Sequence, residues 1–326
     1  MKLSVIILSY TIDEEVYRMN CRAIESLFAS EEWALTNEGI NELTNERKIS
    51  NFQSPISKSS LEVLLIESNQ EAKYTYDSRV RVLVPEEKFG FHRFFNIGLD
   101  NASGEFVAFC NNDIVFEKGW WSAIMKVKKE HPRFMCFSPV DGSYPMMAEE
   151  MAKGNEYVIG WENKRHFAAW CFVWEWKVFK TIGRFDETFD FYSADDDELQ
   201  TLHYWAIPNV LVIGSEVKHL SQVVTKKVGI NKYVVTDKEK YPLSEYEIKR
   251  GWTWLWEDVR FYVAYQREKN KWGSHWMRKR VNEFLERHSW LNIRPVTKFL
   301  YNRRVNLFLA KITGVSDPNP VHFSEK

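Results

Sequence analysis

The chain has 326 residues, is 44% hydrophobic and 27% charged, and carries a formal net charge of −1. That profile fits a soluble globular protein of one large or two ordinary domains, and it excludes a disordered or fibrous chain. No apolar run approaches the roughly 20 residues that span a bilayer, and Cys21, Cys110, Cys136 and Cys171 lack disulfide or zinc-type spacing, so reduced thiols and a cytoplasmic location are expected.

Residues 2–11, KLSVIILSYT, read as an apolar strand ending in small polar residues, too short for the apolar region of a signal peptide. Residues 14–30 place Val16, Met19, Ala23, Leu27 and Phe28 at helical spacing. A polar stretch over about 31–60 reads as an insertion or loop. Strands follow at 61–68 and 80–85, the second closed by Pro85. Residues 93–103 predict a helix stopped by Gly104, 105–113 a fourth strand, 119–132 a helix ended by Pro132, and 135–140 a fifth strand.

This alternation predicts an α/β fold with a mixed, mostly parallel sheet flanked by helices. Near-continuous apolar strands fit a sheet covered on both faces. Ligands in such sheets sit beyond the carboxyl ends of the strands. Three polar tips fall there: Ser9-Tyr10-Thr11, Glu67-Ser68-Asn69 and Asn111-Asn112-Asp113. An unpaired carboxylate in apolar surroundings is costly, so solvent, a helix N-cap or a metal ion should compensate Asp113.

Beyond residue 150 the pattern changes. Residues 166–205 are aromatic and then sharply acidic, 209–221 read as a strand ending near His219, and from about Tyr241 the chain looks helical, basic and tryptophan-rich. From Tyr265 to Ile312 there are 12 Lys and Arg against 3 Asp and Glu, a balance of +9, whereas residues 1–264 hold 31 against 40, a balance of −9. Cations interleaved with Trp272, Trp276, Trp290 and Tyr301 suit nucleic acid or an anionic membrane face. A solvated amphipathic helix is the ordinary alternative.

No GxGxxG opens a helix after the first strand and no GxxxxGK[ST] occurs, so neither a dinucleotide site nor a P-loop is supported. A sheet without such a glycine cradle neutralises phosphate by other means, usually a divalent cation held by carboxylates. Asp113 is a candidate ligand, with an N-cap as its ordinary reading. Asp195, Asp196, Asp197 and Glu198 stand in a row. Their mutual repulsion can raise a pKa into the general-base range, or they form an acidic helix start favoured by the helix dipole. His219 has a metal-binding and a structural reading. Arg93, after Gly90-Phe91-His92, faces a phosphate or forms a surface ion pair.

Taken together, four landmarks over roughly residues 1–225 resemble the family 2 glycosyltransferases of GT-A fold: SVIILSYT, GFHRFFNIGLDNASGEFVAFCNND, FKTIGRFDETFDFYSADDDEL and VKHLS. The resemblance implies a catalytic domain over 1–225 and a basic, mainly helical extension over 226–326. It implies that Thr11 and Glu67 contact base and ribose, with Ser9, Tyr10, Asn69 and Asn96 in the same donor-binding set. Arg93 lies near the diphosphate, Asn112 and Asp113 stand at the metal-binding DXD position, and His219 completes the metal site. Asp195 falls on the expected base, with Ala194 where the family has Glu, which leaves Asp196 as the alternative. The family usually has Asp where Glu67 stands.

The implied activity is inverting transfer from a nucleotide-diphosphate sugar, a UDP-sugar above all, with Mn²⁺ or Mg²⁺. The basic 265–312 segment points to double-stranded DNA carrying a hydroxymethylated base as acceptor. A lipid-linked or surface glycan reached at an anionic membrane, and a protein or small metabolite, are the alternatives. A non-catalytic sugar-nucleotide-binding module is a further alternative, suggested by Ala194. A sugar-nucleotide pyrophosphorylase is disfavoured because its glycine- and arginine-rich N-terminal loop is missing.

Overall fold

The computed structural model describes residues 1–31, 60–220 and 259–315. Nearly all of the polar stretch at 31–60, and residues 241–258 of the expected helical region, lie outside them.

β1 (Lys2–Ser9) is flanked by β2 (Ser60–Glu67) and β4 (Phe106–Asn111), and β3 (Val80–Leu83) lies outside β2; these four strands pair in parallel. Helix α1 (Glu14–Ala29) starts at Asp13, whose carboxylate accepts from the Val16 amide at 3.0 Å. α2 (Phe91–Asn101) and α3 (Trp120–Glu130) follow the expected boundaries within a few residues.

Alternation along β1 divides the core. Leu3, Val5 and Ile7 pack with Ile24, Leu27, Trp120 and Trp121 on one side of the sheet. Ile6 and Leu8 pack with Phe94, Phe95, Phe109, Phe172 and Trp174 on the other. The second side is an aromatic cluster in which Phe109 meets Phe172 at 5.0 Å and Phe185 at 5.1 Å between ring centroids. Such pairs add about 0.5–1.5 kcal/mol each beyond the area they bury.

The second half departs from the expected alternation. The aromatic run at 166–176 contains a strand, β8 (Cys171–Glu175), which joins β4 antiparallel. Next in the sheet come β6 (Cys136–Val140) and β9 (Asn209–His219), parallel to each other. The short β5 (Ile114–Phe116) and β7 (Tyr157–Ile159) pair antiparallel with β9. α4 (Pro145–Ala152) and α5 (Phe179–Ile182) link the strands. The acidic run opens α6 (Ala194–Tyr204).

Among the described residues four helices follow: α7 (Val259–Trp272), α8 (His275–Arg287), α9 (Arg294–Leu300) and α10 (Arg303–Ile312). Met277, Val281, Leu285, Tyr301 and Ala310 form their common core. They meet the body along α6, where Thr297 donates to the Tyr204 carbonyl at 3.0 Å and the Tyr301 hydroxyl lies 2.7 Å from His203 Nδ1. No helix among the described residues is long and apolar enough to cross a membrane.

Candidate active site

The parallel register sets Ser9 beside Glu67 and Leu8 beside Asn111, so the three polar tips gather at one edge of the sheet. Their side chains form one network. The Glu67 carboxylate accepts from the backbone amides of Thr11 at 3.0 Å and Asn69 at 2.8 Å, and from the Thr11 hydroxyl. The Asn69 amide donates to the Thr11 carbonyl at 2.6 Å. Glu67 is 2% exposed and braces this loop, whereas Tyr10, 40% exposed, stands outward at the tip.

Asn20 of α1, which the sequence did not single out, is the hub. Its Nδ2 lies 2.9 Å from Ser9 Oγ, 2.8 Å from Thr11 Oγ1 and 2.8 Å from the Tyr76 hydroxyl, and its Oδ1 accepts from Asn112 at 2.7 Å. One buried amide thus ties the first tip to the third.

The interruption of the apolar run at Asn111-Asn112-Asp113 is a junction between sheets. β4 ends at Asn111, and the chain then enters β5, whose Ile114 lies opposite His219 of β9. The Asp113 carbonyl accepts from the Leu220 amide at 2.7 Å. Asp113 Oδ2 stands 3.2 Å from His219 Nε2, each side chain 10% exposed. Asp113 Oδ1 is buried without a hydrogen-bond partner.

His219 is held on every side. Its ring stacks on Trp170 at 4.9 Å and 5°, its Nδ1 lies 2.9 Å from the Tyr144 hydroxyl, and its backbone amide donates to Asp141 at 2.8 Å. Burial raises the Tyr144 pKa, and the charges of Asp141 and Asp113 raise it further. With Nδ1 held by Tyr144, Nε2 faces the Asp113 carboxylate, an arrangement in which Nε2 could serve as a metal ligand. An unpartnered carboxylate oxygen beside that nitrogen fits Mn²⁺ or Mg²⁺. Among the described residues no third His, Cys, Asp or Glu joins the pair. The remaining positions suit water and phosphate oxygens, as Mg²⁺ sites commonly arrange them.

The acidic run is split by the helix that it opens. Asp195 and Asp196 turn toward Asn163, whose amide donates to Asp195 at 2.6 Å and to Asp196 at 3.3 Å. Burial, and then the neighbouring Asp196 charge, push the Asp195 carboxyl up to about 6. Ser193, which precedes the helix, has φ 59°, a left-handed conformation rare for a residue with a Cβ. Such strain gathers at functional sites.

Asp197 and Glu198 point the other way. Asp197 accepts from the Trp272 indole at 2.7 Å and from Lys271 at 2.9 Å. Glu198 lies 3.3 Å from His92 Nε2, with both side chains fully buried. The loop that carries Asn163 also carries Trp170, so one segment touches both Asp195 and His219.

Two expected donor-binding residues have other partners. Arg93 pairs with Glu187 at 3.2 Å and donates to the Lys88 carbonyl at 2.8 Å. Asn96, 1% exposed, donates to the Phe185 carbonyl and accepts from the Phe185 amide, which fastens α2 to the following loop. Two cavities lie away from the sheet tip. One, about 370 Å³, is bounded by Asp197, Glu198, Trp205 and Lys271; the other, about 510 Å³, by Ser103, Trp176 and Arg184. Neither is lined by Asp113, His219 or Asp195. The unpartnered Asp113 oxygen and the raised Asp195 carboxyl, not cavity size, mark the candidate site.

Residues 64–184 match the family described as glycosyl transferase family 2. The matched segment includes Glu67, Asn112 and Asp113, and ends before Asp195 and His219. The match covers little more than a third of the chain, within its mixed α/β fold.

No curated protein matches the chain. Solved structures resemble it distantly. GalNAc-T7 with UDP, GalNAc and Mn²⁺ superposes with a TM-score of 0.48 at 11% identity, over 67% of this chain and 43% of that one. Residues 1–349 of S. aureus TarS give 0.47 at 15% identity, over 94% and 82%. The mannosyltransferase PcManGT from Pyrobaculum calidifontis with GDP-Man and Mn²⁺ gives 0.45 at 12% identity, over 97% and 88%. The chain therefore spans less than half of the GalNAc-T7 structure.

Proposed function

We propose that the protein is a metal-dependent inverting glycosyltransferase that uses a nucleotide-diphosphate sugar, a UDP-sugar in the first instance. The observation that carries the reading is the meeting of Asp113 and His219 at the sheet tip, with one carboxylate oxygen left unpartnered. Tyr10, Thr11, Glu67 and Asn69 form the base and ribose end of the donor site, ordered by Asn20 and Ser9. Asn112 and Asp113 form its phosphate end. Mn²⁺ or Mg²⁺ held by Asp113 and His219 would neutralise charge on the departing diphosphate.

Asp195 serves as general base. It takes the proton of the acceptor hydroxyl as that oxygen bonds to the anomeric carbon, and the bond from that carbon to the diphosphate breaks with its electron pair on the nucleoside diphosphate. Asn163 aims the carboxylate, and Asp196 raises its basicity. A carboxyl at about 6 accepts a proton more readily than an ordinary one does. The reduced-thiol reading of the four cysteines keeps a cytoplasmic setting within the proposal.

For the acceptor, a hydroxymethylated base in duplex DNA rests on the basic 265–312 segment. Part of that charge is spent inside the chain, where Arg267 pairs with Asp190, Lys271 with Asp186 and Asp197, and Arg278 with Glu268. This internal pairing favours the second reading, a lipid-linked or surface glycan. Replacing Asp195 with Asn tests the catalytic assignment. Transfer should fall on the order of 10²–10⁴-fold, while donor binding, read as the thermal shift with UDP-sugars and manganese, stays. Full turnover by the variant would remove Asp195 from the role.

A further inference from the structure

The C-terminal helices expose apolar side chains in a pattern that the catalytic reading does not use. On α10, Asn306 and Ala310 are buried inward. Helical spacing therefore turns Arg304, Phe308, Lys311 and Ile312 to the opposite side. Phe308 and Ile312 are each 61% exposed there. In the segments just before, Trp290 is 74% exposed and Phe299 62%. Single exposed apolar residues are ordinary; Phe308 and Ile312, one helical turn apart on one face, form a contiguous apolar strip.

The charges around them have one sign. Residues 289–315 contain Arg294, Lys298, Arg303, Arg304 and Lys311 and no Asp or Glu. Arg304 and Lys311 are exposed and form no ion pair among the described residues. The inward cations Arg267, Lys271 and Arg278 are those that hold the helices to the body and to each other. What remains outside is a helix face of cations interleaved with Phe and Ile.

Duplex DNA would draw chiefly on the cations, because phosphate contacts dominate its affinity. The boundary of an anionic bilayer uses both, since cations stay among the headgroups while aromatic and aliphatic groups enter the acyl region. We propose that the C-terminal helical unit, led by the outer face of α10, is a docking surface for an anionic lipid membrane. The proposal goes beyond the donor chemistry, and its consequence is that the active site works next to a lipid surface, where a lipid-linked acceptor is found.

The test is sedimentation of the full chain with vesicles of phosphatidylcholine alone or mixed with phosphatidylglycerol, with duplex DNA as competitor. Two double variants are compared, Phe308→Ser with Ile312→Ser and Arg304→Glu with Lys311→Glu. Both pairs are exposed, and thermal unfolding checks that each variant folds. The proposal expects binding to phosphatidylglycerol vesicles that weakens with salt, and a loss of about tenfold or more in either variant. No binding to these vesicles overturns it. So does equal binding by the apolar double variant, or displacement of the vesicles by duplex DNA. Donor hydrolysis in vesicle-free solution should be unchanged in both variants; loss of hydrolysis in the wild-type chain would instead count against the catalytic reading.

Discussion

A carboxylate that must accept a proton near neutral pH works best when its own pKa approaches that pH. Asp195 meets this condition through burial and the Asp196 charge beside it, which bring it to about 6. The sign of the pH dependence follows. Below about 6 the carboxyl keeps its proton and cannot act as base, so kcat should rise with pH through that value and then level off. A pH profile of transfer at saturating donor reads this limb. A rate independent of pH between 4 and 7, with donor binding unchanged, would contradict it. The acidic row and its candidate base were legible in the sequence because four adjacent carboxylates are conspicuous. Asn163, Tyr144 and Trp170 were not, because each acts through a contact tens of residues away. Asn163 meets Asp195 across 32 positions, and Tyr144 meets His219 across 75.

At the scale of elements, α6 does two jobs with successive residues. Its helical turn sends Asp195 and Asp196 to the site and Asp197 and Glu198 back into the protein. The backward pair is gripped by α7, through Trp272 and Lys271, and by His92 of α2. The C-terminal helices therefore anchor the element that carries the proposed base. Trp272→Phe keeps most of the packing and removes one donor from a buried carboxylate. It should cost about 1–3 kcal/mol in denaturant unfolding and lower kcat more than it raises the donor KM. Unchanged stability and unchanged kcat would show that Lys271 alone suffices. In the sequence this reads only as an acidic run followed far away by a basic one. β8 was likewise hidden, because its residues Cys171–Glu175 lie within a longer aromatic run with no turn signal before them.

For the whole molecule, burial of ionisable groups links stability to pH. Glu198 is pushed up to about 7 by burial, which outweighs the opposing pull of His92, and His92 itself is raised by its pairing with Glu198. Both folded-state values lie above the unfolded ones, so the folded protein holds more protons there. The contribution of this pair to stability should then fall as pH rises from 4.5, the ordinary glutamate value, through about 7. Asp195, raised to about 6, acts in the same direction. Burial holds His166 down at about 4 and His203 at about 3, and these two act in the opposite direction over the same range. The melting temperature of Glu198→Gln relative to wild type isolates the glutamate: the difference should shift in the variant's favour as pH rises from 4.5 to about 7, and a difference that stays flat or shrinks would refute the assignment.

Local chemistry was enough to establish the strand and helix alternation of the first half, the polar strand ends and the acidic run. Apolar periodicity and polar interruptions are properties of neighbouring residues and survive without a fold. Only tertiary structure decided that Asp113 meets His219, that Asn20 joins two strand tips, and that Arg267 and Lys271 of the basic segment turn inward against Asp186, Asp190 and Asp197. Those outcomes depend on which strands lie side by side and which helices pack on them. Pairing across a sheet is set by the burial of whole faces, which no short stretch of sequence contains.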